Sequence, residues 1–580
     1  MKKNLILFAL FFALSAVSYK SVDRDLHVPS ASSAYPYWPS YQFLEVNQLK
    51  QIKAQKWINK EHVIDGWDWS LPDFVEPSLR SMVGLQRTFR LEDAYQPLNL
   101  KFKSNATAVL WVKWRDLEPS MGEFNFQPLI DRIKQANSLD MKVLLRLLCH
   151  SKTRGTGNDL KEGDAPLWLE DLGVNLLPQE RYRGNLNFDP SHPEFHKRYL
   201  ILIDELAQSG IPEMVSAAYV GYASPTYGDE GIGPYGERNG AANDTVRYVR
   251  ERLDAWGNAF KGMEHKVFMG GFSEYGIKKG FGVRRGFVEM YLYNIPNGEL
   301  GQYIDENGYL TVDEEAPVMK YNCFNGEENE EYGAIWATRE RENRFGTTTA
   351  SFPYRYFMST LRAIQMRCNY VLTRGHVIPE MLPFLSLELG RTVGNTPDVW
   401  TFLSTSYLKG RTYNQHDYKV RVQSEKEKAA GIETKNFERW LYQRDAEGYE
   451  TQPAVKIKQP IEMWMVQPGK YYDYIARSGK QIGFDIDDRW TSRTKNSALK
   501  VTYFDNYKGE LKLLFNKGEN AKRLSLKGDK KLKTATFLVS NIESNSMDHG
   551  YDFTLEAGGQ TEKIVVSMVR VVDTNQKKNP

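Results

Sequence analysis

The residues best suited to chemistry are carboxylates that follow apolar runs. They are Glu118 in WRDLEP, Asp229 and Glu230 in TYGDEG, Glu274 in GFSEYG, and Glu327, Glu328 and Glu330 in NGEENEE. Two carboxylates from separate segments can divide the work of splitting an acetal. One, protonated, donates to the leaving oxygen; the other, ionised, attacks carbon or activates water. Taken singly, each of these glutamates reads as well as part of an acidic surface loop. Trp114, Trp168 and Tyr227 pair an apolar ring with a polar handle, which suits stacking on a sugar face. Trp111 is of the same type but lies inside an apolar run and reads equally as core. Arg115, His150 and Arg374 end apolar runs; an arginine fork there would hold hydroxyls or an anionic substituent. His150 reads equally as a satisfied core histidine.

The elements that must carry these residues alternate in type. Residues 108–112 form an apolar run, and a polar loop with Gly122 follows. Leu129, Ile130, Ile133 and Ala136 then recur at helical spacing before a second apolar run at 143–148. Strand, helix and strand in that order favour a parallel sheet, with the polar loop at the strand's C-terminal end. The same alternation continues. A long loop (151–190) precedes a helix at 193–209 and a strand at 213–221. A helix at 245–260, strands at 265–270, 287–293 and 318–323, a helix at 356–366 and a strand at 368–372 complete the series. Residues 63–69 are the candidate first strand. No GxGxxG or Walker loop interrupts the series, which favours a (β/α)8 TIM barrel over an open nucleotide-binding sheet.

Beyond residue 410 the texture changes. A charged stretch (411–435) leads to short alternating runs, AVKIK, IEMWMV, QIGFDID, LKVTYFD, LKLLFN, ATFLV, YDFTLE and KIVVSMVRVV, the pattern of a C-terminal antiparallel β-sandwich. KGDKKLK (527–533) reads as a solvated hairpin. The expected order is a signal peptide (1–18), an N-terminal extension (19–60), the barrel (61–410), the charged linker (411–435) and the sandwich (436–575). Two lysines, an apolar run of about a dozen residues and small residues at its end mark the leader, which implies a secreted or periplasmic protein. Nothing later is apolar for long enough to span a membrane.

Composition narrows the class. With 76 Lys+Arg against 73 Asp+Glu the net charge is +3, too little to argue for nucleic acid. Cys149, Cys323 and Cys368 sit in or beside expected strands without CxxC or paired Cys/His spacing, so they read as buried thiols rather than metal ligands or disulfides. No metal or organic cofactor is called for.

The stretch WRDLEPSMGEFNFQPLIDRIKQANSLDMKVLLR resembles the barrel segment of clan A glycoside hydrolases related to the β-galactosidases. Their pattern Trp-x-x-x-Glu-Pro-x-x-Gly-x-(Phe/Tyr)-x-Phe likewise precedes a helix and a strand. APLWLED is similar to their Pro-x-Trp-Leu segment. The likeness is good over residues 108–170 and loose over 60–400. It implies an acid/base at the end of the fourth strand and a nucleophile at the end of the seventh. Carried over, these are Glu230 (with Asp229 and Glu237 as rivals) and Glu327 (with Glu328 and Glu330). The Asn-Glu dipeptide usual at the fourth strand is replaced here by Tyr-Gly-Asp-Glu-Gly. Trp114, Arg115, Glu118, His150, Trp168, Tyr227 and Arg374 would line the substrate site, with Glu118 in a supporting part. The implied activity is a retaining hydrolase acting on a galactose-containing glycan, agar- and carrageenan-type chains among them, with exo-β-carrageenases similar in barrel type. The alternative is a non-catalytic glycan-binding protein on the same scaffold.

Overall fold

The structure, a computed structural model, describes residues 56–85, 106–149, 151–154, 161–178, 185–220, 244–270, 273–284, 301–321, 325–329, 352–373, 379–408, 432–456 and 471–575. Eight short strands hydrogen bond in a closed ring: Met82–Leu85, Ala106–Lys113, Lys142–Leu148, Ala217–Tyr219, Val267–Met269, Gly282–Arg284, Asn325–Asn329 and Tyr370–Thr373. Every neighbouring pair is parallel, including the last strand with the first. Alternation assigns each side chain to the bore or to the outer layer. In the second strand Ala108, Leu110 and Val112 join the outer core, while Val109 and Trp111 join the bore cluster with Met82, Leu144, Ala217, Tyr219, Phe268, Tyr370 and Leu372. Both faces are covered, which is why these strands read as continuous apolar runs.

Helices pack outside the ring. Gln127–Ser138 starts with proline in its first turn and buries Leu129, Ile133 and Ala136. In Pro193–Gln208, the His192 ring accepts from the Glu194 amide and Phe195, Tyr199, Leu202, Ile203 and Leu206 are buried. Asp244–Ala259 and Phe352–Gln365 also fall where the periodicity puts helices. Among the described residues no helix is long and apolar enough to cross a membrane.

Three expected elements are corrected. The 63–69 stretch is not a barrel strand: His62–Asp65 pairs antiparallel with Leu532–Ser540 in the C-terminal domain. It is a half-exposed edge strand, and the two tryptophans after it serve as packing. Trp67 stacks on Trp69 (5.7 Å) and both meet Phe357. The first barrel strand is instead Met82–Leu85, a run too short for periodicity to register. Residues 318–323 are not the seventh strand either; Pro317 opens a short helix, Pro317–Lys320, and the strand is the polar segment Asn325–Asn329. The sixth strand is Gly282–Arg284, and residues 287–293 lie outside the described residues. The 151–190 loop carries its own small antiparallel sheet: Lys161–Glu162, Ser151–Arg154, Leu186–Phe188 and Leu176–Pro178.

The C-terminal domain is two antiparallel sheets of eight and five strands enclosing a second core. It begins earlier than expected, since Asp398–Leu408 lies in the interior of the larger sheet. That sheet is buried on both sides, by the smaller sheet and by the barrel's helices, so Ile564–Asp573 is buried along its whole length. KGDKKLK is no hairpin. It crosses between the two sheets, and Lys533 within it is buried against Asp505 (2.6 Å) and Asp529 (2.6 Å). The IEMWMV run and residues 411–431 lie outside the described residues.

Candidate active site

In a closed parallel ring the useful surface is the rim at the strands' C-terminal ends. Four of the expected site residues meet there. Trp114, Arg115 and Glu118 come from the turn Trp114–Leu117 and its cap, and Trp168 from the turn Leu167–Leu169. Their contacts are mostly internal. Glu118 is fully buried; it accepts from the Trp114 indole N–H (2.8 Å), from the Gly122 amide (2.8 Å) and from Arg198. Gly122 makes that approach with a positive φ of 84°, which a residue with a Cβ resists. Glu118 thus ties the rim loop to the Pro193–Gln208 helix and is closed to a ligand.

Trp114 is corrected as a sugar platform. Its ring is fully buried, edge-on to Trp168 (6.0 Å), Phe195 (5.5 Å) and Tyr199 (6.3 Å). Trp168 is half-buried, donates to the Glu118 carbonyl (3.2 Å), and has the Arg198 guanidinium over its ring (5.1 Å). Arg115 pairs with Glu162 of the small sheet, and its amide donates to the Asp164 carbonyl (3.1 Å). The small sheet is pinned in turn by Ser151, whose hydroxyl donates to Asp164 (2.6 Å), and by Gly163, where an added Cβ would fall 1.9 Å from the Ser151 carbonyl oxygen. Glu274 begins a short helix, is itself exposed and pairs with Lys278 (2.7 Å). His150, Tyr227, Asp229, Glu230, Glu237, Glu330 and Arg374 lie outside the described residues.

The bore holds what sequence reasoning passed over. Trp111, Arg146, Tyr219 and Phe268 follow one another in register across four strands. Arg146 is almost fully buried, its guanidinium 3.9 Å from the Trp111 ring centroid and 4.5 Å from that of Tyr219. Rings beside a cation attract it electrostatically through their quadrupoles. Lys113 ends the second strand on the same parity, opposite Leu148, and makes no ion pair among the described residues. At the other end of the bore, Lys142 donates to the Ser81 carbonyl (2.9 Å), and burial pulls its ammonium down to about 8.

The seventh strand carries two of the expected carboxylate positions, and register separates them. Gly326 and Glu328 pair with Tyr370 and Leu372, which belong to the bore cluster; Glu327 pairs with Val371, which belongs to the outer core. Position 328 therefore falls on the bore side and position 327 on the outer side. Cys149 and Cys368 are buried free thiols, and Cys323 lies outside the described residues. Among the described residues no three His, Cys, Asp or Glu side chains gather as a metal site would require.

No family model and no curated protein matches the chain. Similar solved structures have names of sugar-cleaving enzymes. The catalytic domain of a β-amylase from Paenibacillus polymyxa is 10% identical, over 49% of this chain and 88% of that one, with a TM-score of 0.27. An endo-glycoceramidase II from Rhodococcus sp. is 11% identical, over 81% and 89%, with a TM-score of 0.28. A β-glucosidase from Exiguobacterium marinum is 14% identical over 32% of this chain and only 34% of its own, with a TM-score of 0.18. At such scores these likenesses carry no argument.

Proposed function

We propose that the chain is an exported retaining glycoside hydrolase acting on a β-linked, galactose-containing glycan. The observation that carries this reading is the closed parallel ring with a glutamate position, 328, on the bore side near the C-terminal end of the seventh strand. A carboxylate there is set to attack an anomeric carbon at the rim. Glu230, eleven residues past Tyr219 at the end of the fourth strand, supplies the proton to the leaving oxygen and later activates water. The nucleophile in this proposal is Glu328 rather than Glu327, because the outer-layer register of 327 leads away from the bore. Arg146 lies on the bore side as well and favours an ionised carboxylate at its level. Lys113 and Arg115 at the rim favour a glycan bearing sulfate or another anion. The likeness of residues 108–170 to β-galactosidase barrels supports the choice of sugar, and the apolar leader supports export.

Single variants assayed on a panel of β-galactosides and sulfated galactans test the assignment. Glu328→Gln and Glu230→Gln should each lower turnover by about a thousandfold or more, while Glu327→Gln should stay within about tenfold of the parent. Full activity in Glu328→Gln with loss in Glu327→Gln would return the nucleophile to 327. Saturable binding by a parent chain that cleaves nothing would make it a glycan-binding protein.

A further inference from the structure

The smaller sheet of the C-terminal domain ends in a hairpin, Lys508–Phe515 with Asn520–Lys527. Alternation sends Leu511, Leu513, Phe515 and Leu526 into the core. The opposite parity carries Lys508, Glu510 and Lys512 on one strand, with Lys527, Ser525 and Arg523 directly across from them. Register thus sets lysine against lysine and lysine against arginine, and like charges directly opposite repel. Glu510 answers the second pair, 3.2 Å from Arg523 and 3.9 Å from Lys512. The first pair has no such partner. Lys508 and Lys527 are exposed and make no ion pair among the described residues, and the same holds for Lys530 in the turn that follows.

That turn is fixed through its backbone. The buried Asp505 carboxylate accepts from the Gly528 amide (2.9 Å) and the Lys527 amide (3.1 Å), and its carbonyl accepts from the Lys530 amide (2.7 Å). The charges of Asp505 and Asp529 meet the Lys533 ammonium, 2.6 Å from each. Gly528, at a φ of 71°, comes so near the next strand that a Cβ would fall 2.9 Å from the Lys508 nitrogen. The acidic groups of the turn therefore hold its shape and leave three lysines to solvent. Guarding a sheet edge accounts for charge on Asn520–Lys527, the outermost strand, but not for Lys508 and Lys512 on the strand inside it.

We propose that this face of the sandwich binds an extended polyanion, a sulfated galactan chain, as a docking site apart from the barrel's rim. Same-face residues along a strand lie about 6.8 Å apart, so the Lys508–Lys527 and Lys512–Arg523 pairs stand about 13 Å apart on open surface. One small anion gains little there, because an exposed ion pair is worth at most about 1 kcal/mol. A chain that meets several cations at once adds those gains and releases its condensed counterions. Ser525, exposed between the two pairs, offers a hydroxyl to a sugar or a sulfate. Stacked bases would need an open ring, and the neighbouring Tyr507 is turned away. Its ring lies against Gly509, on the inward parity, and its hydroxyl donates to the Glu510 carbonyl (2.7 Å). That the polyanion is a glycan rests on the function proposed above.

Binding of the full-length protein to a sulfated galactan, and to the same chain after desulfation, tests this beside the combined variant Lys508→Gln, Lys527→Gln, Lys530→Gln. None of the three lysines holds an ion pair among the described residues, so the variant should melt as the parent does. The parent's affinity for the sulfated chain should exceed the variant's by about tenfold or more, and about 0.5 M salt should close the gap. Its affinity for the desulfated chain should be lower by a similar factor. Turnover of a short neutral β-galactoside, which reports the rim alone, should be the same in both proteins. Equal affinity in parent and variant, or for sulfated and desulfated chains, would overturn the proposal. So would tighter binding of a single-stranded oligonucleotide of equal charge, which would make this a nucleic-acid surface. Binding is read without cleavage, so a parent that binds through these lysines and cleaves nothing would overturn the hydrolase and support the docking face.

Discussion

The bore of the barrel and the junction with the sandwich both bury arginine or lysine, but they treat the charge differently. At the junction three buried cations meet carboxylates: Lys500 with Asp68 (2.5 Å), Arg570 with Asp398 (2.6 Å), and Arg439 with Glu388. In the bore, Arg146 lies against the faces of Trp111 and Tyr219. A carboxylate pairs with a charge directly, whereas a ring face attracts it through its quadrupole. These three cations are thus paired with carboxylates where the two units meet. The bore sets two ring faces against its arginine.

The largest stability effect should come from breaking a junction pair. Asp68 accepts from Lys500 and from the Ser70 amide (2.9 Å) and hydroxyl (2.5 Å), and the Lys500 side chain is 1% exposed. Asp68→Ala strands that ammonium in the interior, which should cost about 3–5 kcal/mol in denaturant unfolding. A loss under about 1 kcal/mol would mean that the junction tolerates a bare buried charge. The next effect belongs to the bore. Arg146→Met keeps side-chain bulk against the two rings but removes the guanidinium with every contact it makes, so unfolding free energy should fall by about 1–3 kcal/mol. Turnover should nevertheless fall about a hundredfold, which is about 2.7 kcal/mol of transition-state stabilisation. Turnover unchanged in Arg146→Met would make the bore cation a packing device, and the contrast with the junction would collapse.

How much of this was open to reading from the chain depends on what each residue had to satisfy. Residues 108–112 and 143–148 are buried on both faces, so their apolar runs announced two barrel strands, and the helices with one buried face announced themselves by period. Asn325–Asn329 has no apolar run to announce a strand, and the neighbouring Val318 and Met319 drew the assignment to what is a helix. His62–Asp65 alternates as any half-buried strand does, and nothing local says that its partner lies about 470 residues away at Leu532–Ser540. The rim residues were found by type, yet their role depended on Arg198, a helix residue whose use shows only once Glu118 is seen to be sealed beneath it. Arg146 was passed over because an arginine inside an apolar run has no signature until its two rings, 35 and 73 residues away in sequence, are in place.

The smallest predicted effect is the one that shows whether burial, rather than pairing as such, makes the junction sensitive. Glu61 sits beside the same edge strand as Asp68 and pairs with Lys522 (2.7 Å), but its side chain is 49% exposed. The Lys522 hydrogen bond, aided by the Leu538 amide and opposed by slight burial, holds its carboxyl below the ordinary 4.5. Its contribution is therefore present above the ordinary value and lost as pH falls through the folded one. Water can replace either partner here, so Glu61→Gln should cost less than about 1 kcal/mol. About 0.5 M added salt should shrink even that difference, because a wet pair is screened and a buried one is not. Asp68→Ala should be nearly indifferent to the same salt. A Glu61→Gln loss as large as that of Asp68→Ala, or one that salt leaves untouched, would mean that the edge strand is held by pairing at its surface, and that desolvation is not what separates the two regions.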